Sequence, residues 1–182
     1  MKRHAPNINR YPRTYQHDMT NTAQKAGTPA KALDAIELLT EAHQEIREAF
    51  KEYGRLITSG GEADEKYAVA ADICSIVTVH AMVKDELFYP AARQVVRDDW
   101  PLKIAEVEHE EARSLINTVM SIESTDPLFD ARMHVLRGYV VRHADREERE
   151  LFPKVREADI DLGSLGAQIE ARQAELLEGG VF

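Results

Sequence analysis

The chain of 182 residues has one cysteine, Cys74, and so no internal disulfide. A lone thiol fits a reducing compartment, and Ile73 and Ile76 beside it point to burial. Positive charge is also short, with 23 Lys and Arg against 32 Asp and Glu. The net charge of -9 and pI near 5.3 argue against nucleic acid or an anionic membrane as the main partner, since both would repel such a surface. No apolar run near the start suits a signal peptide and none later is expected to approach a membrane span, so the expected location is cytoplasmic. Nor is there a glycine-rich phosphate loop, a strand-rich stretch, or a serine or cysteine nucleophile in a recognisable setting.

What the chain does have is apolar stripes at helical spacing with histidines set inside them. Phe129, Met133, Leu136 and Val140 lead into His143, Glu147 and Leu151 on the same alternation of four and three. An imidazole and a carboxylate four apart are neighbours one turn up a helix face, close enough to share a cation, and burying them unpartnered is costly. A second copy lies at His80 to Pro90, again with ten positions from histidine to proline. Lys84 holds the fourth position there, so a carboxylate ligand has to come from Asp85 or Glu86.

In chain order, residues 1–28 are polar, basic and proline-broken and read as a flexible arm, with His4 and His17 scattered without period. Thr28-Pro29 suggests a cap and first helical position for a stripe of Leu33, Ile36, Leu39, His43, Ile46, Phe50, Tyr53 and Ile57. A second helix from about Asp64 carries Val69, Ile73, Ile76, His80, Val83 and Leu87, and Pro90 should end or sharply kink it. Residues 91–100 then read as a connector. Leu102, Ala105, His109, Ala112, Ile116, Val119 and Ile122 mark the third helix, and Asp126-Pro127 opens the fourth. The expected fold is all-α: an antiparallel up-down-up-down four-helix bundle over residues 29–157, with residues 158–182 forming an extra helix packed outside.

Antiparallel neighbours put residues equally far from their shared turn at one height. His43 lies 15 residues before Thr58 and His80 16 after Asp64; His80 stands 10 before Pro90 and His109 8 after Pro101. His109 is 16 before Thr125 and His143 16 after Pro127. At the α-helical rise these mismatches amount to roughly 3 Å or less, so all four histidines fall in one layer. His134, beside Met133 and off the stripe, is expected at the surface. A single seam histidine is more often a hydrogen-bonded core residue than a ligand, and a metal-free helical interaction module is the plain alternative. Four at one level favour a metal. Imidazoles with carboxylates and no thiolate suit iron, zinc or manganese, and such a set in a bundle core can hold an oxo- or hydroxo-bridged di-iron centre. Structural zinc ranks lower because it usually takes four ligands, often cysteine.

At these residues the chain resembles the hemerythrin-like, or HHE, family. The matching marks are Glu41-Ala42-His43-Gln44-Glu45-Ile46, His80 with Leu87-Phe88-Tyr89-Pro90, Glu108-His109-Glu110, and His143 with Glu147-Glu148 and Leu151-Phe152-Pro153. The resemblance implies a four-helix bundle with a non-haem di-iron site binding dioxygen, nitric oxide or peroxide for sensing, protection or storage. It implies His43, His80, His109, His143 and Glu147 as ligands, with Asp85 or Glu86 serving where Lys84 replaces the family's bridging glutamate. Glu106 stands where some members carry a further histidine. Tyr89 reads first as a packing residue and, if the helix unwinds before Pro90, as a phenolate ligand. An oxygen-rich site of this kind favours ferric iron and peroxide chemistry, so a peroxide- or nitric-oxide-consuming enzyme is the rival reading. A protein partner that reads the site remains open.

Overall fold

The computed structural model describes residues 33–180, and among them all regular structure is helical. The proposed arm, His4, His17 and Thr28-Pro29 lie outside the described residues. Helix α1 (Ala35–Thr58) starts later than Thr28-Pro29 suggested, because Asp34 and Glu37 form a capping box. The Asp34 carboxylate accepts from the Ile36 and Glu37 amides, and Glu37 accepts from the Asp34 amide. At its far end Gly60, with φ of 75°, makes the turn that a side chain would strain.

The next helices are α2 (Ala63–Val83) and α3 (Tyr89–Val95), then α4 (Trp100–Ser121), α5 (Phe129–Arg146), α6 (Phe152–Arg156) and α7 (Leu162–Gly179). Two π-helical turns, Lys84–Phe88 and Glu147–Leu151, join α2 to α3 and α5 to α6. Neither Pro90, expected to end or sharply kink its helix, nor Pro153 ends the helical run. Each sits just after a widened turn, at the start of the following helix, where its missing N–H leaves no bond unmade. The connector therefore shrinks to the residues between Val95 and Trp100.

Helix α1 packs on α2 and α5, and α4 on α5 and α2. Their directions follow from ties at both ends. Asp130, at the start of α5, accepts from Tyr53 near the end of α1 and from Lys66 near the start of α2. At the opposite end Arg156 returns to Asp34. Helix α7 lies across α1 and α2 and comes so close that a Cβ on Gly166 would stand 2.8 Å from the Leu33 carbonyl.

The apolar core is split in two. One cluster holds Ile46, Phe50, Ile73, Cys74, Ile116, Met133 and Leu136, and the other Leu39, Phe88, Leu102, Leu151, Val155 and Ile169. The run Ala63–Val95 is long and apolar enough to cross a membrane, against the expectation that no segment would be. Its apolar character has another cause, since α2 is covered on several sides and buries Ala70, Ile73, Ile76, Val77, Val79 and Val83.

Candidate metal centre

A polar layer separates the two apolar clusters, and one residue from each of α1, α2, α4 and α5 supplies it: His43, His80, His109 and His143, all buried. Each occupies a seam position between residues of one cluster and residues of the other. His134 is exposed. Glu147, the first residue of its π turn and 3% exposed, reaches into the same layer. So does Lys84, the first residue of the other π turn and fully buried.

Outer carboxylates set the imidazole tautomers. His43 Nδ1 lies 2.8 Å from Glu148, His109 Nδ1 2.8 Å from Asp85, and His143 Nδ1 2.9 Å from Glu108. An arginine holds each carboxylate in turn, Arg47 on Glu148, Arg113 on Asp85 and Arg146 on Glu108. Burial raises these three carboxyls, but the histidine and arginine partners outweigh it and keep all three lowered. A carboxylate only accepts, so each Nδ1 donates, and in the neutral ring each Nε2 is then the acceptor that faces inward. This carboxylate–histidine arrangement is the one that orients metal-binding imidazoles.

Inside the layer those lone pairs crowd together. Glu147 Oε2 is 3.2 Å from His43 Nε2 and 3.2 Å from His143 Nε2. Lys84 Nζ donates to Glu147 Oε2 at 2.6 Å and to His143 Nε2 at 2.7 Å. Tyr89 donates to Glu147 Oε1 at 2.7 Å, with His109 Nε2 at 3.3 Å from its hydroxyl and 3.1 Å from His143 Nε2. His43 Nε2 and His80 Nε2 are buried with no hydrogen-bond partner. Together with a Glu147 oxygen, their ligand atoms lie within 4.8 Å of one another. Two orphaned nitrogens beside a carboxylate are costly as they stand and fit a cation.

Protonation agrees with that. Burial, helped by Lys84, holds His80 well below its ordinary value and brings His109 down to about 4, so both are neutral imidazoles at neutral pH. Burial would raise Glu147, yet Lys84 outweighs it and holds the carboxyl well below the usual carboxylate range. Burial and then Glu147 push the Tyr89 phenol well above its usual value.

The structure thus brings His43, His80, His109, His143 and Glu147 together, but neither Asp85 nor Glu86, one of which was expected to serve in place of Lys84. Asp85 faces the outer nitrogen of His109, and Glu86 is exposed and pairs with Arg172. The π turn is the reason: it advances the helix phase by one residue, turning Phe88 and Tyr89 inward and leaving Leu87 half-buried. Sequence reasoning gave no structural role to Lys84 and none to the outer carboxylates. A signal for the latter was present, since Arg47 and Arg113 each stand four residues after a seam histidine.

A small cavity of about 10 Å³ adjoins His143 and Glu147, lined also by Glu108, Arg146 and Leu151. That is room for about one water. A wider cleft of about 210 Å³ has Tyr89 and Asp85 in its wall, with Arg93, Glu106, Glu110 and Arg113 around them.

A family model described as the hemerythrin HHE cation binding domain matches residues 34–155. The uncharacterized proteins Rv2633c of Mycobacterium tuberculosis and Mb2666c of Mycobacterium bovis are each 22% identical over 147 residues, 79% of this chain and 88% of theirs. A crystal structure of a hemerythrin HHE cation binding domain-containing protein from Mycobacterium kansasii, a homolog of Rv2633c, superposes with a TM-score of 0.66 at 22% identity. The match covers 81% of this chain and 89% of that one, and shows a shared fold.

Proposed function

The chain belongs to the hemerythrin HHE cation-binding domain family, and from that premise we propose a non-haem iron protein that binds dioxygen, nitric oxide or peroxide for sensing, protection or storage. The observation that carries this reading is the pair of orphaned nitrogens, His43 Nε2 and His80 Nε2, set beside Glu147 in a sealed layer. A donor set of imidazole, carboxylate and phenol without thiolate favours iron, with manganese and zinc behind it. When bound, the metal supplies an open position for a small ligand. The size of the cavity beside His143 and Glu147 suits a water-sized molecule. The helices fit the up-down-up-down bundle of the family, and the acidic charge and single cysteine support a cytoplasmic place without nucleic-acid or membrane partners.

The full form of this centre expected from the resemblance is an oxo- or hydroxo-bridged iron pair, which the four histidines and Glu147 would hold. A second reading, turnover of peroxide or nitric oxide, is favoured by Tyr89 and Lys84, two proton-bearing groups in contact with Glu147.

Anaerobic loading with ferrous iron, followed by iron analysis and optical spectra under argon, nitric oxide, air and peroxide, tests both. Retained iron with ligand-dependent spectra that return on ligand removal supports the binding reading. Steady consumption of peroxide or nitric oxide supports the second. A folded protein that retains no iron overturns both and leaves a metal-free interaction module.

A further inference from the structure

We propose that this chain holds one metal ion, between His43, His80 and Glu147, and that Lys84 fills the place of a second as a fixed cation. The inference rests on the metal-binding reading and specifies its stoichiometry.

The argument starts from the internal repeat. The α1–α2 hairpin corresponds to the α4–α5 hairpin, His43 to His109 and His80 to His143, and the π turn that begins with Lys84 to the one that begins with Glu147. The outer partners correspond as well: Glu148 and Arg47 serve His43 as Asp85 and Arg113 serve His109. Exchanging the hairpins turns the triad His43, His80, Glu147 into His109, His143, Lys84. One half of the layer therefore offers a carboxylate across its histidine pair, and the other half an amine.

The contacts show what the amine does. Glu147 Oε2 faces two imidazole lone pairs at the same separation of 3.2 Å, those of His43 and His143. Between acceptors so close, something positive has to stand. For the His143 pair that is Lys84 Nζ, in contact with both atoms. Between the His43 pair no side chain stands, and among the described residues His43 Nε2 and His80 Nε2 are the buried side-chain polar atoms left without partners. A second ion in the His109–His143 half would displace Nζ from both its acceptors and then lie beside it.

Charge gives the same count. An ammonium in place of a carboxylate adds two positive charges to the layer, which is the charge of one divalent ion. A layer with Lys84, Glu147 and one ion thus carries the same charge as one with two carboxylates and two ions. Burial makes that balance matter, because excess charge in a dry layer is not screened. The Tyr89 hydroxyl replaces its counterpart Phe152 in this half, donating to Glu147 Oε1 with its oxygen 3.3 Å from His109 Nε2.

The test is metal content of the full chain after anaerobic loading with ferrous iron, read beside circular dichroism and, after oxidation, electron paramagnetic resonance. The wild type is expected to retain one iron per chain and to give the signal of an isolated high-spin ferric ion. Lys84→Glu is expected to retain two, with the signal lost to coupling between the ions. Lys84→Asp, which keeps the added carboxylate on a shorter side chain, serves if Lys84→Glu does not fold and is likewise expected to admit a second ion. Two irons in the wild type overturn the inference while leaving the iron-binding reading intact, whereas none overturns that reading itself. A single iron in every folded variant also overturns it, since Lys84 then does not set the count.

Discussion

Aligned from histidine to proline, the segments His80–Pro90 and His143–Pro153 are identical at the histidine, the following alanine and the proline alone. Both nevertheless build a π turn at the same place, bury the two residues before the proline, and send the second residue of the turn outward to a histidine of a neighbouring helix. Against that shared frame the differences stand out: Lys84 opposes Glu147, Tyr89 opposes Phe152, and Glu108, which orients His143, has Ala42 as its counterpart beside His80. The frame decides where side chains meet, and a few unlike residues decide that one half is short of a cation while the other already contains one.

Changes that remove one half should have unequal effects, and the largest falls on the histidines. His80→Ala is expected to abolish iron retention, whereas His109→Ala keeps it. The stabilisation of wild type by iron, about 2.7 kcal/mol at a hundredfold excess over Kd, should vanish in the first variant and persist in the second, as melting with and without iron would show. Equal losses in both would remove the distinction between the halves.

Next comes the buried pair. Lys84→Met removes the one cation paired with the buried Glu147, and the iron-free protein should lose about 3–5 kcal/mol in urea unfolding. Iron should restore part of that loss, because it offers Glu147 another positive partner. A smaller contrast lies in the outer carboxylates: Glu148→Ala should weaken iron binding by about 10- to 100-fold through a loosened His43, while Asp85→Ala leaves affinity nearly unchanged. Matching losses on titration with ferrous iron would instead place an ion in each half.

The smallest effect lies outside both halves and serves as their reference. Burial raises the Asp130 carboxyl, but Lys66 and Tyr53 outweigh it and leave the group lowered. Its contribution is therefore present above the unfolded value of about 3.9 and is lost as pH falls through the lower folded value. Asp130→Asn should cost less than about 1 kcal/mol at neutral pH, flatten the acid limb of stability and leave iron content unaltered.

The histidine layer was legible in the sequence because helical period and turn-to-turn counting are both set by backbone geometry. His43, His80, His109 and His143 each fall where a core residue belongs, and Glu147 one turn on. What the sequence hid begins where that period fails. A uniform helix through Lys84–Phe88 puts Leu87 in the seam and leaves Asp85 and Glu86 as the nearest carboxylates; the widened turn puts Phe88 and Tyr89 there instead. Pro90 reads as a stop or a sharp kink because an α-helix interior has no room for its ring, whereas a π turn just ahead removes the conflict. The start of α1 was misplaced for a different reason: Thr28-Pro29 and Asp34 with Glu37 are both sound start signals, and composition alone does not rank them. Lys84 was legible only as a departure, since its partners come from α5 and the turn after it, about sixty residues away.

Each widened turn spends one residue more than a regular turn, so everything beyond it is rotated by about 100° relative to an unbroken helix. Insertions and deletions in these stretches therefore obey a stricter rule than substitutions do. Dropping a single residue between Lys84 and Phe88 would swing Tyr89 away from Glu147 and drive the Pro90 ring toward a carbonyl that the wide turn now keeps clear. Between each histidine and its proline, the number of residues is held more tightly than their identity.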